Sequence, residues 1–225
     1  MTGREGLPQE SCVILLRPEE KPARPLMETL REMAPLEEKD LLAEDGAGRT
    51  LIIKAGGDPE EIAEYALALI DTLEGEIGLR VKAGVSDVHS APEEWPAGYR
   101  EALSALETGD RYRSRSPVQV HAHQTLERML DEISPEVRER IRRQIFGEHP
   151  ERILTEETLE TAEKFFEADL NLSVAARQMF VHRNTLTYRL DRILRETGLD
   201  LRVFRDAVIF RLLMTMPEDK GGAEK

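Results

Sequence analysis

Asn171-Leu172-Ser173-Val174-Ala175-Ala176-Arg177-Gln178-Met179-Phe180-Val181-His182-Arg183-Asn184-Thr185-Leu186-Thr187-Tyr188-Arg189-Leu190-Asp191-Arg192-Ile193-Leu194-Arg195-Glu196-Thr197-Gly198 reads as a short helix, a tight turn and a second helix. Ser173 is placed to cap the first helix, and Ala175 and Ala176 let another helix cross closely. Met179 and Val181 bracket a short connection through Phe180, and His182 or Arg183 opens the second helix. There Leu186, Leu190, Ile193 and Thr197 recur at helical spacing and share one face. Asn184, Tyr188, Asp191 and Arg195 fall opposite them, with Thr187 and Arg192 on the flanks, and Gly198 suits a C-terminal cap. A helix pair of this design can seat its second member in the major groove of DNA.

Periodicity alone fits an ordinary amphipathic hairpin with solvated arginines equally well. Charge contrast favours the DNA reading. The 225-residue chain carries a formal net charge of −13, a poor figure for binding a polyanion. Between Leu172 and Leu212, however, eight arginines (177, 183, 189, 192, 195, 202, 205, 211) face four acids (191, 196, 200, 206), a local charge of +4. Phosphate affinity responds to local charge. Arginine without lysine suits planar recognition of phosphate and guanine.

The run Val181-His182-Arg183-Asn184-Thr185-Leu186-Thr187-Tyr188-Arg189-Leu190-Asp191-Arg192-Ile193, followed by Thr197-Gly198-Leu199-Asp200-Leu201, closely resembles the C-terminal helix-turn-helix of the PucR/CdaR group of bacterial transcriptional regulators. The resemblance extends over roughly residues 155–216. It implies that the start of the second helix meets DNA, which makes His182, Arg183, Asn184 and Thr185 the first candidates. Arg183 can reach a guanine edge or a phosphate, and Asn184 can pair with adenine. Thr187 and Tyr188 lie one turn further on, and Arg192 is assigned to phosphate. Three residues have competing roles: Arg189 can pair with an acid inside the domain, Thr185 can cap the first turn, and Asp191 can hold Arg195 at i+4.

Residues 1–150 hold 30 acids and 19 basic residues in an α/β pattern. Cys12–Leu16 predicts a buried strand and Pro25–Met33 a helix. Asp40–Glu44 and Thr50–Lys54 predict a hairpin around Gly46-Ala47-Gly48. Pro59–Leu73 predicts a helix, Leu79–Val85 a strand, Tyr99–Glu107 a helix and Val118–His121 a last strand. This β-α-β-β-α-β-α-β order is that of the palm-like fold of nucleotide cyclases and GGDEF proteins. Gly84-Val85-Ser86 with Tyr99-Arg100-Glu101-Ala102-Leu103 is similar to the GGDEF-like middle domain of the same regulators, over roughly residues 40–121.

That similarity raises an enzymatic alternative, a nucleotide-cyclase-like activity. Such chemistry needs carboxylates at the end of the first strand to hold metal beside phosphates. Here that strand runs into Arg17-Pro18-Glu19-Glu20, and the hairpin reads Glu44-Asp45-Gly46-Ala47-Gly48-Arg49 instead of the glycine-rich signature. A degenerate domain that senses a ligand or dimerises fits better, and no enzyme activity is expected. His121 and His123 alternate and could ligate a metal from one side of a strand, but no further Cys/His cluster lies near them in sequence. No metal and no cofactor are expected. Trp95 reads as a loop packing anchor, and Arg138, Glu139, Arg140, Arg142 and Arg143 as the solvated coat of a helix with Val137, Ile141 and Ile145 inside.

One cysteine, Cys12, no apolar stretch of membrane length and no signal-peptide core predict a cytoplasmic soluble protein. With so short a stretch before Cys12, the additional sensory domain that such regulators commonly carry is not expected. The expected class is α+β: a degenerate GGDEF-like α/β domain (1–121), connecting helices (122–150), an all-α helix-turn-helix domain (151–216) and a disordered tail (217–225). The expected partners are double-stranded DNA, a second copy of the chain and an unidentified small-molecule effector. Leu126, Met129, Leu130 and Ile133 are candidate dimer contacts that serve equally as core. A protein-interaction module that has lost DNA affinity is the non-enzymatic alternative.

Overall fold

Cys12-Val13-Ile14-Leu15-Leu16 offers no polar side chain to either face, so it is stable only with both faces covered. In the computed structural model, which describes residues 7–216 except Gln9 and Arg113, this run is the centre of strand β1 (Ser11–Pro18) and all five residues are buried. β1 is the middle strand of a five-stranded mixed sheet ordered β2-β3-β1-β4-β5. The others are β2 (Leu41–Glu44), β3 (Thr50–Ala55), β4 (Val81–Val85) and β5 (Val118–Val120). β1 is antiparallel to β3 and β4, β2 and β3 form the expected hairpin, and β4 runs parallel to β5.

Alternate residues of β1 go to opposite layers. Cys12, Ile14 and Leu16 pack with α1 (Leu26–Met33) and α2 (Pro59–Ile77), while Val13 and Leu15 pack with α3 (Trp95–Arg111). Burial pushes the Cys12 thiol up to about 12, helped by the charges of Asp87, Asp58 and Glu101. Asp58 caps α2 by accepting from the Glu60 amide, and Pro59 takes the first helical position. β2 begins one residue later than expected because Asp40 is engaged elsewhere. Its buried carboxylate holds Lys54 Nζ at 2.8 Å and the Ala55 amide at 3.0 Å.

α3 starts four residues earlier than the apolar spacing predicts. Trp95 is its first residue, not a loop anchor, and its indole N–H donates to Ser11 Oγ at 3.0 Å. Pro96 falls in the first turn, where it costs no helical hydrogen bond. The helix lies close to the sheet because small residues face it. A Cβ on Gly84 of β4 would lie 2.0 Å from the Ala102 carbonyl oxygen, and one on Gly98 would lie 2.8 Å from Val13 Cγ2.

β5 ends at Val120, so His121 and His123 are not on a strand. They occupy a 3₁₀ turn, His121–Gln124, and point to different partners, Asp87 and Glu60. This correction follows from chain geometry: two residues apart share a face only in extended backbone.

The chain divides into two units, Met1–Arg128 and Met129–Lys225. α4 (Thr125–Asp131) spans the division, and α5 (Pro135–Phe146) and α6 (Pro150–Ile153) lie in the second unit. Then follow α7 (Glu156–Glu167), α8 (Leu172–Gln178), α9 (Arg183–Thr197) and α10 (Phe204–Thr215). Arg138 is buried rather than solvated, 3.8 Å from Asp131, and Val137, Ile141 and Ile145 are only half-buried. Phe146 crosses Phe210 edge to face with ring centroids 5.8 Å apart, which packs α5 on α10. Among the dimer candidates, Leu130 is buried and Met129 exposed. The expected tail, 217–225, lies outside the described residues.

Candidate nucleic-acid interface

α7, α8 and α9 enclose a core of Ala162, Phe165, Ala175, Ala176, Leu186, Leu190 and Ile193, each 5% exposed or less. α7 ends with the Leu170 amide donating to the Phe165 carbonyl and the Asp169 amide to that of Phe166. α8 ends in the same way, Val181 to Ala176 and Phe180 to Arg177. Both closures require left-handed backbone, supplied here without glycine at Asp169 (φ 51°) and Phe180 (φ 54°). The N-cap of α8 is Asn171, not Ser173: its side chain accepts from the amides of Ser173 and Val174, at 3.1 and 3.2 Å. Asn and Ser cap about equally well, so only the position of the first turn separates them.

α9 opens at Arg183, and His182 caps it, its Nδ1 accepting from the Asn184 amide at 3.2 Å. Thr185 is therefore free of the capping role. His182, Arg183, Asn184 and Thr185 are all exposed. Thr187 is half-buried, with its hydroxyl donating to the Arg183 carbonyl at 3.0 Å. Tyr188 is exposed, and the Arg195 guanidinium lies 5.8 Å from its ring centre. Gly198 closes the helix at φ 74°.

The arginines divide into two groups. Arg192 Nη2 lies 2.7 Å from Glu157 Oε2, and Arg189 Nη2 lies 3.1 Å from Oε1 of the same residue. Arg189 takes the internal role foreseen for it. Arg192, assigned to phosphate on the resemblance, is held by the same acid on α7. Asp191 pairs with Arg202 at 2.8 Å rather than with Arg195. By contrast Arg177, Arg183, Arg195, Arg205 and Arg211 are exposed. Arg192→Ala is accordingly expected to cost about 0.5–1 kcal/mol of stability, and to leave DNA affinity within twofold of wild type, measured by thermal melting and by anisotropy.

Phe180 carries no signal in the sequence. Its ring is 96% exposed, on a residue whose backbone favours glycine. The ring contributes little to burial, so Phe180→Gly is expected to raise stability by about 0.5–1 kcal/mol in denaturant titration, as relief of left-handed strain exceeds the added chain entropy.

The first unit has its own candidate, a cleft of about 570 Å³ beside the hairpin turn, lined by Arg17, Lys21, Arg24, Glu44 and Arg49 among others. Its groups are largely spoken for. Arg17 pairs with Asp110 at 2.5 Å, Arg24 with Glu32 at 2.7 Å and Arg49 with Asp45 at 2.6 Å. Asp45 Oδ1 accepts the amides of Ala47 and Arg49, and Oδ2 accepts from Arg49 Nε and the Tyr99 hydroxyl. Burial alone would raise its pKa, yet these bonds hold the carboxyl below the usual carboxylate range. A carboxylate so engaged shapes a turn and has no lone pair to spare for a metal.

Comparison with known proteins agrees with both units. Residues 6–108 match the GGDEF-like domain family, and residues 158–216 match the PucR C-terminal helix-turn-helix domain. Among curated proteins, the purine catabolism regulatory protein of Bacillus subtilis (strain 168) is 22% identical over 171 residues, covering 74% of this chain and 32% of that protein. The carbohydrate diacid regulator of Escherichia coli (strain K12) is 35% identical over 60 residues, 27% of this chain and 16% of that protein. The chain thus spans about a third or less of these relatives. A crystal structure of a regulator of polyketide synthase expression from Bifidobacterium adolescentis is 22% identical, with a TM-score of 0.37 over 93% of this chain and 81% of that one. The chain thus carries a GGDEF-like domain followed by a PucR C-terminal helix-turn-helix domain, and in both it is similar to regulators of the PucR/CdaR type.

Proposed function

We propose that the chain is a cytoplasmic, non-enzymatic transcriptional regulator that binds double-stranded DNA in a sequence-specific manner through α9. The observation that carries this reading is the exposed first turn of α9. His182, Arg183, Asn184 and Thr185 stand clear of the packed core, while Arg189 and Arg192, nearer that core, share the carboxylate of Glu157. Arg183 and Asn184 supply the guanine and adenine chemistry of the major groove, Tyr188 and Thr187 follow one turn later, and Arg177 adds a cation for the phosphate backbone. The regulator names of the relatives support the same assignment.

One module of this size buries too little surface for tight specific binding, so the working form is a homodimer reading half-sites about 34 Å apart. We assign residues 151–216 to DNA binding, the preceding helices of 122–150 to support and connection, and the GGDEF-like region, within 1–121, to effector sensing or dimerisation. Anisotropy with the DNA upstream of its own gene, beside scrambled DNA across a salt series, tests the function. Preference for the upstream DNA with a steep salt slope supports it. Equal and feeble binding to every operator tried, with or without small-molecule effectors, rejects it in favour of a protein-interaction module.

A further inference from the structure

The loop after β4, the middle of α3 and the turn after β5 bring three ligating side chains together at one end of the sheet. One ligand atom each from Asp87, Glu101 and His121 lies within 4.8 Å of the other two. We propose that these residues bind a divalent first-row transition-metal ion. Nothing in the family assignment or in the DNA-binding reading requires such a site. It also lies beyond the Val85 end of β4, whereas the cyclase comparison would place a metal where β1 runs into Arg17-Pro18-Glu19-Glu20, beside Val81 at the other end of β4.

Four features argue for it. The first is the donor set: an imidazole with two carboxylates suits zinc, iron, nickel or manganese better than magnesium, whose preferred donors are all oxygen. The donors already lie within 4.8 Å of one another, and His121 Nδ1 is 3.0 Å from Asp87 Oδ2, near the roughly 3.4 Å separation that donors about 2.0–2.1 Å from a tetrahedral zinc would have. The second is an unsatisfied atom. Asp87 Oδ1 is buried without a hydrogen-bond partner, whereas Oδ2 lies 3.0 Å from His121 Nδ1. The Asp87 side chain is 44% exposed as a whole, so it is this one shielded oxygen that lacks a donor or cation.

The third is outer-shell support. Glu101 Oε2 lies 2.9 Å from His89 Nε2 and accepts the Asp87 amide at 3.2 Å, which fixes the carboxylate and leaves Oε1 for a cation. His89 is itself buried, and its backbone is pinned to Ser11 at the start of β1. A histidine–carboxylate pair is a common way to orient a metal ligand. The fourth is the field: the charges of Asp87 and Glu101 reach the buried Cys12 thiol.

One group opposes the ion. The Arg128 guanidinium lies against His121, with Nη1 3.2 Å from Nδ1 and closer still to Nε2. Arg128 is half-exposed on a flexible stem, so it can swing into solvent when a cation arrives, at some cost in affinity. The sequence offers His121 with His123 as the metal pair, yet His123 is exposed and faces Glu60. The true co-ligands are 34 and 20 positions upstream of His121, on other elements.

The test is calorimetric titration of the full chain with Zn²⁺, and visible spectroscopy with Co²⁺. A saturable 1:1 isotherm is expected at ~micromolar Kd. His121→Ala and Asp87→Asn should each weaken it at least ~100-fold, and His89→Ala about 10-fold, as for an outer-shell partner. Arg128→Ala should strengthen it, an effect that a purely structural role for the cluster does not produce. His123→Ala serves as the surface control and should bind as wild type. Should a ligand variant fail to fold by circular dichroism, histidine resonances of the wild-type protein decide: Zn²⁺ must shift those of His121 and His89 and spare His123. Absence of saturable binding to the wild type, or undiminished binding by folded His121→Ala, overturns the proposal.

Discussion

Arg183→Ala combined with Asn184→Ala should weaken binding to the operator about 100-fold while leaving the melting temperature nearly unchanged. Each side chain is exposed on the first turn of α9, so its loss falls within the roughly ±0.5 kcal/mol of ordinary surface substitutions. On DNA the same side chains would make the directional contacts, and a good bidentate contact discriminates by about 1–3 kcal/mol. Two losses of about 1.4 kcal/mol each, inside that range, give the stated factor. The residual binding should also lose its preference for the operator over scrambled DNA. The slope of log affinity against log salt should fall by about one for each phosphate contact removed. Anisotropy across a salt series reads all three quantities. Unchanged affinity in a variant that melts like wild type would show that another surface meets DNA. His182 is deliberately kept in this variant, because its ring caps the helix.

Gly84→Ala should destabilise the first unit by about 3 kcal/mol or more, a drop in melting temperature of roughly 10 °C or more. The added Cβ would meet the Ala102 carbonyl oxygen at 2.0 Å and Leu106 Cγ at 3.0 Å. The obstacle is helix backbone rather than the end of a flexible side chain, so α3 must lift from the sheet. Lifting α3 uncovers Val13 and Leu15, which the same helix buries. It also moves Glu101, so metal binding should weaken in parallel. Thermal melting followed by far-UV circular dichroism measures the first effect. The helix-turn-helix core contains none of these residues, so its own melting should persist at the original temperature. A Gly84→Ala protein as stable as wild type would mean that α3 packs on the sheet less closely than described.

Much of this was legible in the chain. The uninterrupted run Cys12–Leu16 is a strand buried on both faces, and the hairpin follows from its turn residues. The stripe Leu186, Leu190 and Ile193 is the inside of α9, and Gly198 is its cap. In each case the determining interactions lie within a few residues along the chain, where periodicity, turn chemistry and caps act. Local signals blurred at element ends. Asn171 and Ser173 are both good caps, and Trp95 with Pro96 reads as a loop until it is seen to begin α3.

Tertiary structure alone decided which charges are spent and which are offered. Arg192 and Arg183 look alike in sequence, but Arg192 meets Thr158 and Glu157 across a fold that closes 34 positions into contact, whereas Arg183 is exposed on the first turn of α9. The same holds for Gly84 beneath Ala102, and for His121 with Asp87 and Glu101. Periodicity reports which face of an element is turned inward; it carries no information about which residue of another element waits there. The sequence by itself determined the two domain types and the inward face of α9. Which side chains remain available to a ligand was left to long-range packing, because an ion pair, a close backbone approach or a metal site is made by residues that become neighbours only when the chain folds.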